Sequence, residues 1–159
     1  MQKTRSKFNV SKNKARRTYD GIVFDSEVEM KYYRDVILPN VESGNIIYYE
    51  RQRKYELQPK FKYEDKTILP INYVADFFVR YKDGHEIVID IKGMADATAK
   101  LKKKLFHYKF PLIDYKWLVY SKIDGGWCEY DYVQQQRRLR KKAKQNNLLD
   151  YKEIFLLWK

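Results

Sequence analysis

Apolar positions recur at two periods along this chain, and the switches between them mark out the elements. Residues 46–57, I-I-Y-Y-E-R-Q-R-K-Y-E-L, follow Gly44 and alternate polar with aromatic side chains, which predicts a long strand. Residues 72–93, N-Y-V-A-D-F-F-V-R-Y-K-D-G-H-E-I-V-I-D-I-K-G, hold two β-rich runs around an Asp83-Gly84 turn signal and predict a hairpin. Residues 113–121 alternate as a further strand, broken by Gly125 and Gly126. Helical spacing begins instead at Ser26 and runs through Met30, Tyr33, Val36, Ile37 and Leu38, with Pro39 expected to end it. A second helix is predicted to start at Thr98, with Leu101, Leu105 and Phe106 on one face, and a third to span residues 130–145. Residues 59–70 read as a connection or a short added hairpin around Glu64, Asp65 and Lys66. Residues 148–158 end apolar, a tail expected to pack on the domain or on a second subunit. Strands and helices interleaved in this way predict an α/β fold.

The hairpin's register is open to argument. With a three-residue loop, 82–84, and Gly84 in the left-handed bulge position, Tyr81 faces His85, Arg80 lies opposite Glu86, and Phe78 opposite Val88. Asp76 then falls opposite Asp90, with Lys92 two residues along on the same face. A two-residue loop would slip the pairing by one and send the two aspartates to opposite faces; the favourable Arg80–Glu86 match selects the first register. Facing carboxylates repel, and nothing about folding calls for them. Such a pair holds a cation or shares a proton. Ile87, Val88, Ile89 and Ile91 surround Asp90 with a nearly continuous apolar run, the mark of a strand covered on both faces, where an aspartate is costly unless paired or bound to metal. The bland alternative is a solvated pair neutralised by Lys92. Hard oxygen ligands suit Mg²⁺ or Mn²⁺, and a lysine beside them orients water or neutralises an anionic transition state.

Composition narrows the partner. The 159 residues carry a formal charge of +12, so a polyanion is expected, nucleic acid before membrane, since no basic amphipathic anchor or lipidation motif stands out. Tyrosines, 15 of them, supply rings with polar tips suited to stacking on bases. The lone Cys128 excludes an internal disulfide and a cysteine-based zinc site, and His85 and His107 are too few for a histidine-rich centre. With no apolar N-terminal segment and no long apolar run, the expectation is a cytoplasmic protein.

Several basic stretches are candidate phosphate contacts. Residues 1–18 form a basic arm, Arg16 and Arg17 included, without an acid. Lys100, Lys102 and Lys104 lie on the second predicted helix, directly after the Asp90-Ile91-Lys92 strand end; Arg137, Arg138 and Lys141 lie on the third. That third helix has only Leu139 and Ala143 as later apolar residues, too few to bury a face well. Solvated surface is the competing explanation for each stretch. Ser26 with Glu29 matches a capping box, which explains Glu29 structurally; its functional alternative is a third carboxylate brought to the metal by the first turn of the helix, with Glu27 as fallback. Gln52, between Arg51 and Arg53, is a weaker candidate for a place near the site.

The ordered set Glu29, Asp76, then Asp90-Ile91-Lys92 resembles the PD-(D/E)xK nuclease superfamily, although Ala75 stands where a proline often precedes the first Asp. A closer likeness is to small phage and prophage proteins related to Holliday-junction resolvases and the TnsA-like endonucleases. It rests on Phe24-Asp25-Ser26-x-x-Glu29, the block from Ala75 to Gly93, and the Thr98 and lysine-rich helix, and it spans about residues 19–121. The resemblance implies a restriction-endonuclease-like core, a central mixed β-sheet flanked by helices, with a basic N-terminal arm at 1–18 and a C-terminal helical extension at 122–159. It also implies hydrolysis of DNA phosphodiesters, with Asp76, Asp90, the Ile91 carbonyl and Glu29 around one or two Mg²⁺ or Mn²⁺ ions, and Lys92 on the attacking water or a phosphate oxygen. Symmetric cutting of a four-way junction would call for a homodimer. Three functions are therefore carried forward: a branched-DNA endonuclease, an endonuclease of the same chemistry in nicking, packaging, transposition or restriction, and a non-catalytic nucleic-acid binder.

Overall fold

The structure, a computed structural model, describes residues 13–145. Most of the basic arm and all of the apolar tail at 148–158 therefore lie outside the described residues. The described residues divide into two compact units, with the boundary between Trp117 and Leu118.

In the first unit a 3₁₀ turn at Lys14–Arg17 leads into two short paired strands, β1 (Thr18–Tyr19) and β2 (Ile22–Val23). Helix α1 (Glu27–Tyr32) opens on Ser26, whose hydroxyl accepts the Glu29 N–H at 3.0 Å, as the capping signal predicts. Pro39 does not end this helix. The chain widens into a π turn at Tyr33–Ile37 and resumes as α2 (Leu38–Glu42), with Pro39 in its first turn. A proline has no N–H to give and clashes with the carbonyl four residues back; the wider turn, in which Leu38 N–H reaches Tyr33 C=O, lets the helix pass it.

Strands β3 (Ile46–Gln58) and β6 (Ile71–Tyr81) form a long antiparallel ribbon, joined by an exposed hairpin, β4 (Phe61–Tyr63) and β5 (Lys66–Ile68). Strand β7 (Glu86–Ile91) pairs antiparallel with β6 in the three-residue-loop register: Arg80↔Glu86, Phe78↔Val88 and Phe77↔Ile89. Gly84 takes φ +84°, a conformation only glycine reaches without strain, and this sets the loop. Helix α3 (Ala97–Lys109) starts one residue before Thr98, because Asp96 caps it by accepting Ala99 N–H at 2.8 Å. It leads to strand β8 (Asp114–Ser121). The strands form a mixed sheet in the order β3-β6-β7-β8-β9, where β9 is Gly126–Glu129.

Aromatic packing holds the first unit together. Tyr32 and Tyr33, from α1 and the π turn, lie on Phe77 of β6 with ring centroids 5.6 and 6.4 Å away. From α3, Phe106 is fully buried among Tyr55, Tyr73 and Tyr115. Leu105 is half-buried, but Leu101 is 56% exposed rather than facing the core, so the buried stripe of α3 is narrower than its spacing predicts.

In the second unit the end of β8 pairs antiparallel with β9, and α4 (Tyr130–Gln145) follows. Val133 is buried, Leu139 is half exposed, and Arg140 makes a two-pronged pair with Asp124 at 2.6 and 3.1 Å. No helix among the described residues is long and apolar enough to cross a membrane.

Candidate active site

The ladder between β6 and β7 runs to Phe77↔Ile89, and the next residues in that register are Asp76 and Asp90. There the carboxylate of Asp76 takes over from the ladder, accepting the Ile91 N–H at 2.6 Å. Asp90 is 3% exposed. Its Oδ2 is buried without a hydrogen bond among the described residues; the Lys92 ammonium touches the same oxygen as an ion pair, off hydrogen-bonding angles. Lys92 is itself held over the Trp117 ring, 5.2 Å from its centroid, with Lys103 at 4.5 Å.

Burial pushes the Asp76 carboxyl up to about 8, with the charges of Asp90 and then Glu29 adding to it; the Ile91 N–H and Lys92 pull the other way. Three acids therefore share one electrostatic neighbourhood. Glu29 is 2% exposed, and burial first, then the charge of Asp25, raises its carboxyl as well. Its carboxylate does not close the capping box on Ser26. Instead it accepts Asp25 N–H at 3.1 Å and the Gln52 amide at 3.4 Å. Glu27 goes elsewhere, to Lys31 at 2.9 Å and Arg16 at 3.5 Å.

Beneath Asp90 lies a chain of buried donors that sequence reasoning missed. The indole N–H of Trp117 can only donate, and it donates to the Tyr115 hydroxyl. Tyr115 must then pass its own hydrogen on, and it donates to the Tyr73 hydroxyl at 2.6 Å. Tyr73 in turn bonds the Asp90 carboxylate, and burial together with that charge holds its hydroxyl protonated far above the usual range. The one available signal was the i, i+2 spacing of Tyr115 and Trp117, which puts both on one side of β8.

Gln52 is the second surprise. Arg51↔Phe77 and Arg53↔Ala75 pair in one register, so Gln52 stands opposite Asp76, and it does so at φ +55°. A non-glycine residue in that region in mid-strand costs ~1–3 kcal/mol.

The proposed phosphate contacts divide. Arg16, Lys100 and Lys104 are exposed. Arg17 is spent on the Phe24 carbonyl and Lys102 on the Asn72 carbonyl at 2.8 Å, so both support the fold near the site. Arg137, Arg138 and Lys141 are exposed on α4, in the second unit.

Among the described residues no three His, Cys, Asp or Glu side chains already form a metal-binding group. Mg²⁺, however, keeps several of its waters and takes only one or two carboxylates from a protein. Asp76 with its raised carboxyl and Asp90 with a buried oxygen met by the Lys92 ammonium fit that requirement. The fold and this site define an α/β protein with a buried carboxylate cluster beside a lysine. The chain belongs to the family described as a protein of unknown function (DUF1064), whose model matches residues 5–124. That match contains Glu29, Gln52, Asp76, Asp90 and Lys92 and stops short of α4. No curated protein matches the chain.

Proposed function

We propose that this protein is a metal-dependent DNA endonuclease of restriction-endonuclease-like fold, acting on branched DNA such as four-way junctions. The observation that carries the reading is the acid pair at the open end of the β6–β7 ladder: half-buried Asp76, its carboxyl raised to about 8, and buried Asp90, whose Oδ2 meets the Lys92 ammonium without a hydrogen bond among the described residues. Asp76, Asp90 and the Ile91 carbonyl would hold Mg²⁺ or Mn²⁺, which supplies Lewis acidity toward a phosphate and a water of lowered pKa. Lys92, anchored between Asp90 and the Trp117 ring, presents its ammonium to the attacking water or to a non-bridging phosphate oxygen. Glu29 adds a third negative charge that keeps Asp76 and Asp90 receptive to a cation. Arg16, Lys100 and Lys104 hold the phosphate backbone without reading bases, and the exposed Arg137, Arg138 and Lys141 of α4 offer phosphate contacts of their own, so binding weakens steeply with salt. A two-fold dimer would supply one site per strand of a junction.

The test is cleavage of labelled duplex, flap and four-way-junction DNA in Mg²⁺ and in Mn²⁺. Wild-type protein is expected to cut the junction, and Asp90→Asn to lose roughly 10³-fold or more of the rate while still binding it, as removal of a group acting in the transition state does. Binding without cleavage in both metals would make the protein a nucleic-acid-binding module instead.

A further inference from the structure

Strand β3 carries a backbone conformation that its own pairing does not need. Gln52 sits at φ +55° between two residues in regular register, with no inserted residue and no turn to account for it. Its neighbours pin it from both sides. The Arg51 guanidinium lies 4.1 Å from the Phe24 ring centroid, and that of Arg53 lies 4.0 Å from the Phe78 ring centroid. A strained residue persists only where its surroundings over-determine it, and such residues gather at functional sites. What the left-handed turn achieves is visible: the Gln52 amide donates to Glu29 Oε1 at 3.4 Å, on a carboxylate that is 2% exposed and otherwise held by Asp25 N–H. Gln52 itself is exposed, at the strand position opposite Asp76.

We infer that Gln52 is a positioning residue of this site: the bent strand is kept because it aims the Gln52 amide at Glu29 and so fixes that carboxylate beside Asp76. The inference rests on the reading of the site as a cation-dependent nuclease. Without the amide, the buried Glu29 carboxylate keeps only the Asp25 N–H on its other oxygen, and it is free to turn from Asp76. The backbone strain is then a cost carried for the site rather than for the fold.

Two variants separate cost from purpose. Gln52→Gly removes the amide and relieves the left-handed strain; Gln52→Ala removes the amide and keeps the strain. In metal-free protein the midpoint of thermal unfolding is expected to rise by roughly 2–4 °C for the glycine variant and to fall for the alanine one. Both should bind Mn²⁺ about tenfold more weakly and cut junction DNA roughly 10–100-fold more slowly, the scale on which groups that orient metal ligands act. In a Glu29→Gln background, Gln52→Gly should add almost nothing to the loss of Mn²⁺ affinity, because the two act through one contact. A glycine variant less stable than wild type, or one with wild-type Mn²⁺ affinity and cleavage, overturns the inference. Full additivity with Glu29→Gln does the same. Wild-type protein that neither binds Mn²⁺ nor cuts DNA removes the nuclease reading and this role with it; an active wild type beside equally active variants removes the Gln52 role alone.

Discussion

One hairpin, two charge pairs. At the loop end of β6 and β7, Arg80 faces Glu86, opposite in charge, both side chains nearly half exposed, with Nε 2.7 Å from Oε1. At the other end the same register brings together two acids, half-buried Asp76 and buried Asp90. The first pair is what strand pairing favours, and a surface ion pair is worth little. The second is what strand pairing opposes: two desolvated carboxylates are held beside each other at a cost. A single register cannot be tuned separately at its two ends, so the difference lies in what each pair is for. The loop end specifies the fold, and the open end is maintained against the fold's interest.

That contrast breaks most visibly at Asp76. Its carboxyl lies near 4 in an unfolded chain and is raised to about 8 here, chiefly by burial and then by Asp90 and Glu29. A raised value means that the folded state prefers the protonated form. The corresponding stabilisation is therefore complete below about pH 4 and is lost as pH climbs through about 8. Metal-free protein should lose stability between about pH 5 and 8, the reverse of ordinary acid sensitivity, and Mg²⁺ or Mn²⁺ should restore it by favouring the carboxylate form. Asp76→Asn should flatten this slope and stabilise the metal-free protein at pH 8 by ~1–3 kcal/mol. Thermal unfolding across pH, with chelator and with metal, reads all three effects; a destabilised Asp76→Asn with the slope intact would put both ends of the hairpin in the same class.

A smaller effect is expected one layer down. Tyr73→Phe removes a single oxygen, leaves the ring packed against Phe106, and deprives Asp90 of the donor chain that starts at Trp117. Mn²⁺ affinity should fall roughly tenfold, and Tyr115→Phe, one bond further away, should cost less than Tyr73→Phe. Titration of Mn²⁺ into the two variants checks the order. Equal losses, or none, would mean that the tyrosines serve packing alone.

These sites were unequally legible in the sequence. The hairpin register followed from one charge match and one glycine, since period-two alternation leaves only two choices and Arg80–Glu86 excludes one. The facing of Asp76 and Asp90 came with it. Glu29 was ambiguous for a good reason: its N–H is spent on the Ser26 cap while its carboxylate leaves the capping box for Asp25 and Gln52. The passage of the helix through Pro39 was hidden because a π turn leaves no pattern of its own in a run this short. Gln52 and the Tyr73–Tyr115–Trp117 chain were hidden more deeply. A left-handed residue without glycine or asparagine has no sequence signal, and a hydrogen-bond relay between strands 42 residues apart exists only once the sheet has formed.

The smallest expected effect belongs to the pair that is easiest to see. Arg80→Ala removes the ion pair at the loop end together with the guanidinium's approach to Tyr48, 5.7 Å from the ring centroid. Both contacts face solvent, so the loss should be ~0.5 kcal/mol and should shrink further in high salt. Mn²⁺ affinity and cleavage should stay at wild-type levels, because among the described residues no hydrogen bond or ion pair ties Arg80 or Glu86 to Asp90, and Gly84 and the Phe78↔Val88 pair also hold the register. Denaturant unfolding and Mn²⁺ titration of this variant would sharpen the contrast from the opposite side. If Arg80→Ala weakened metal binding as much as Tyr73→Phe does, the charge match would be setting the geometry of the carboxylates, and the two ends of the hairpin would have to be read as one device.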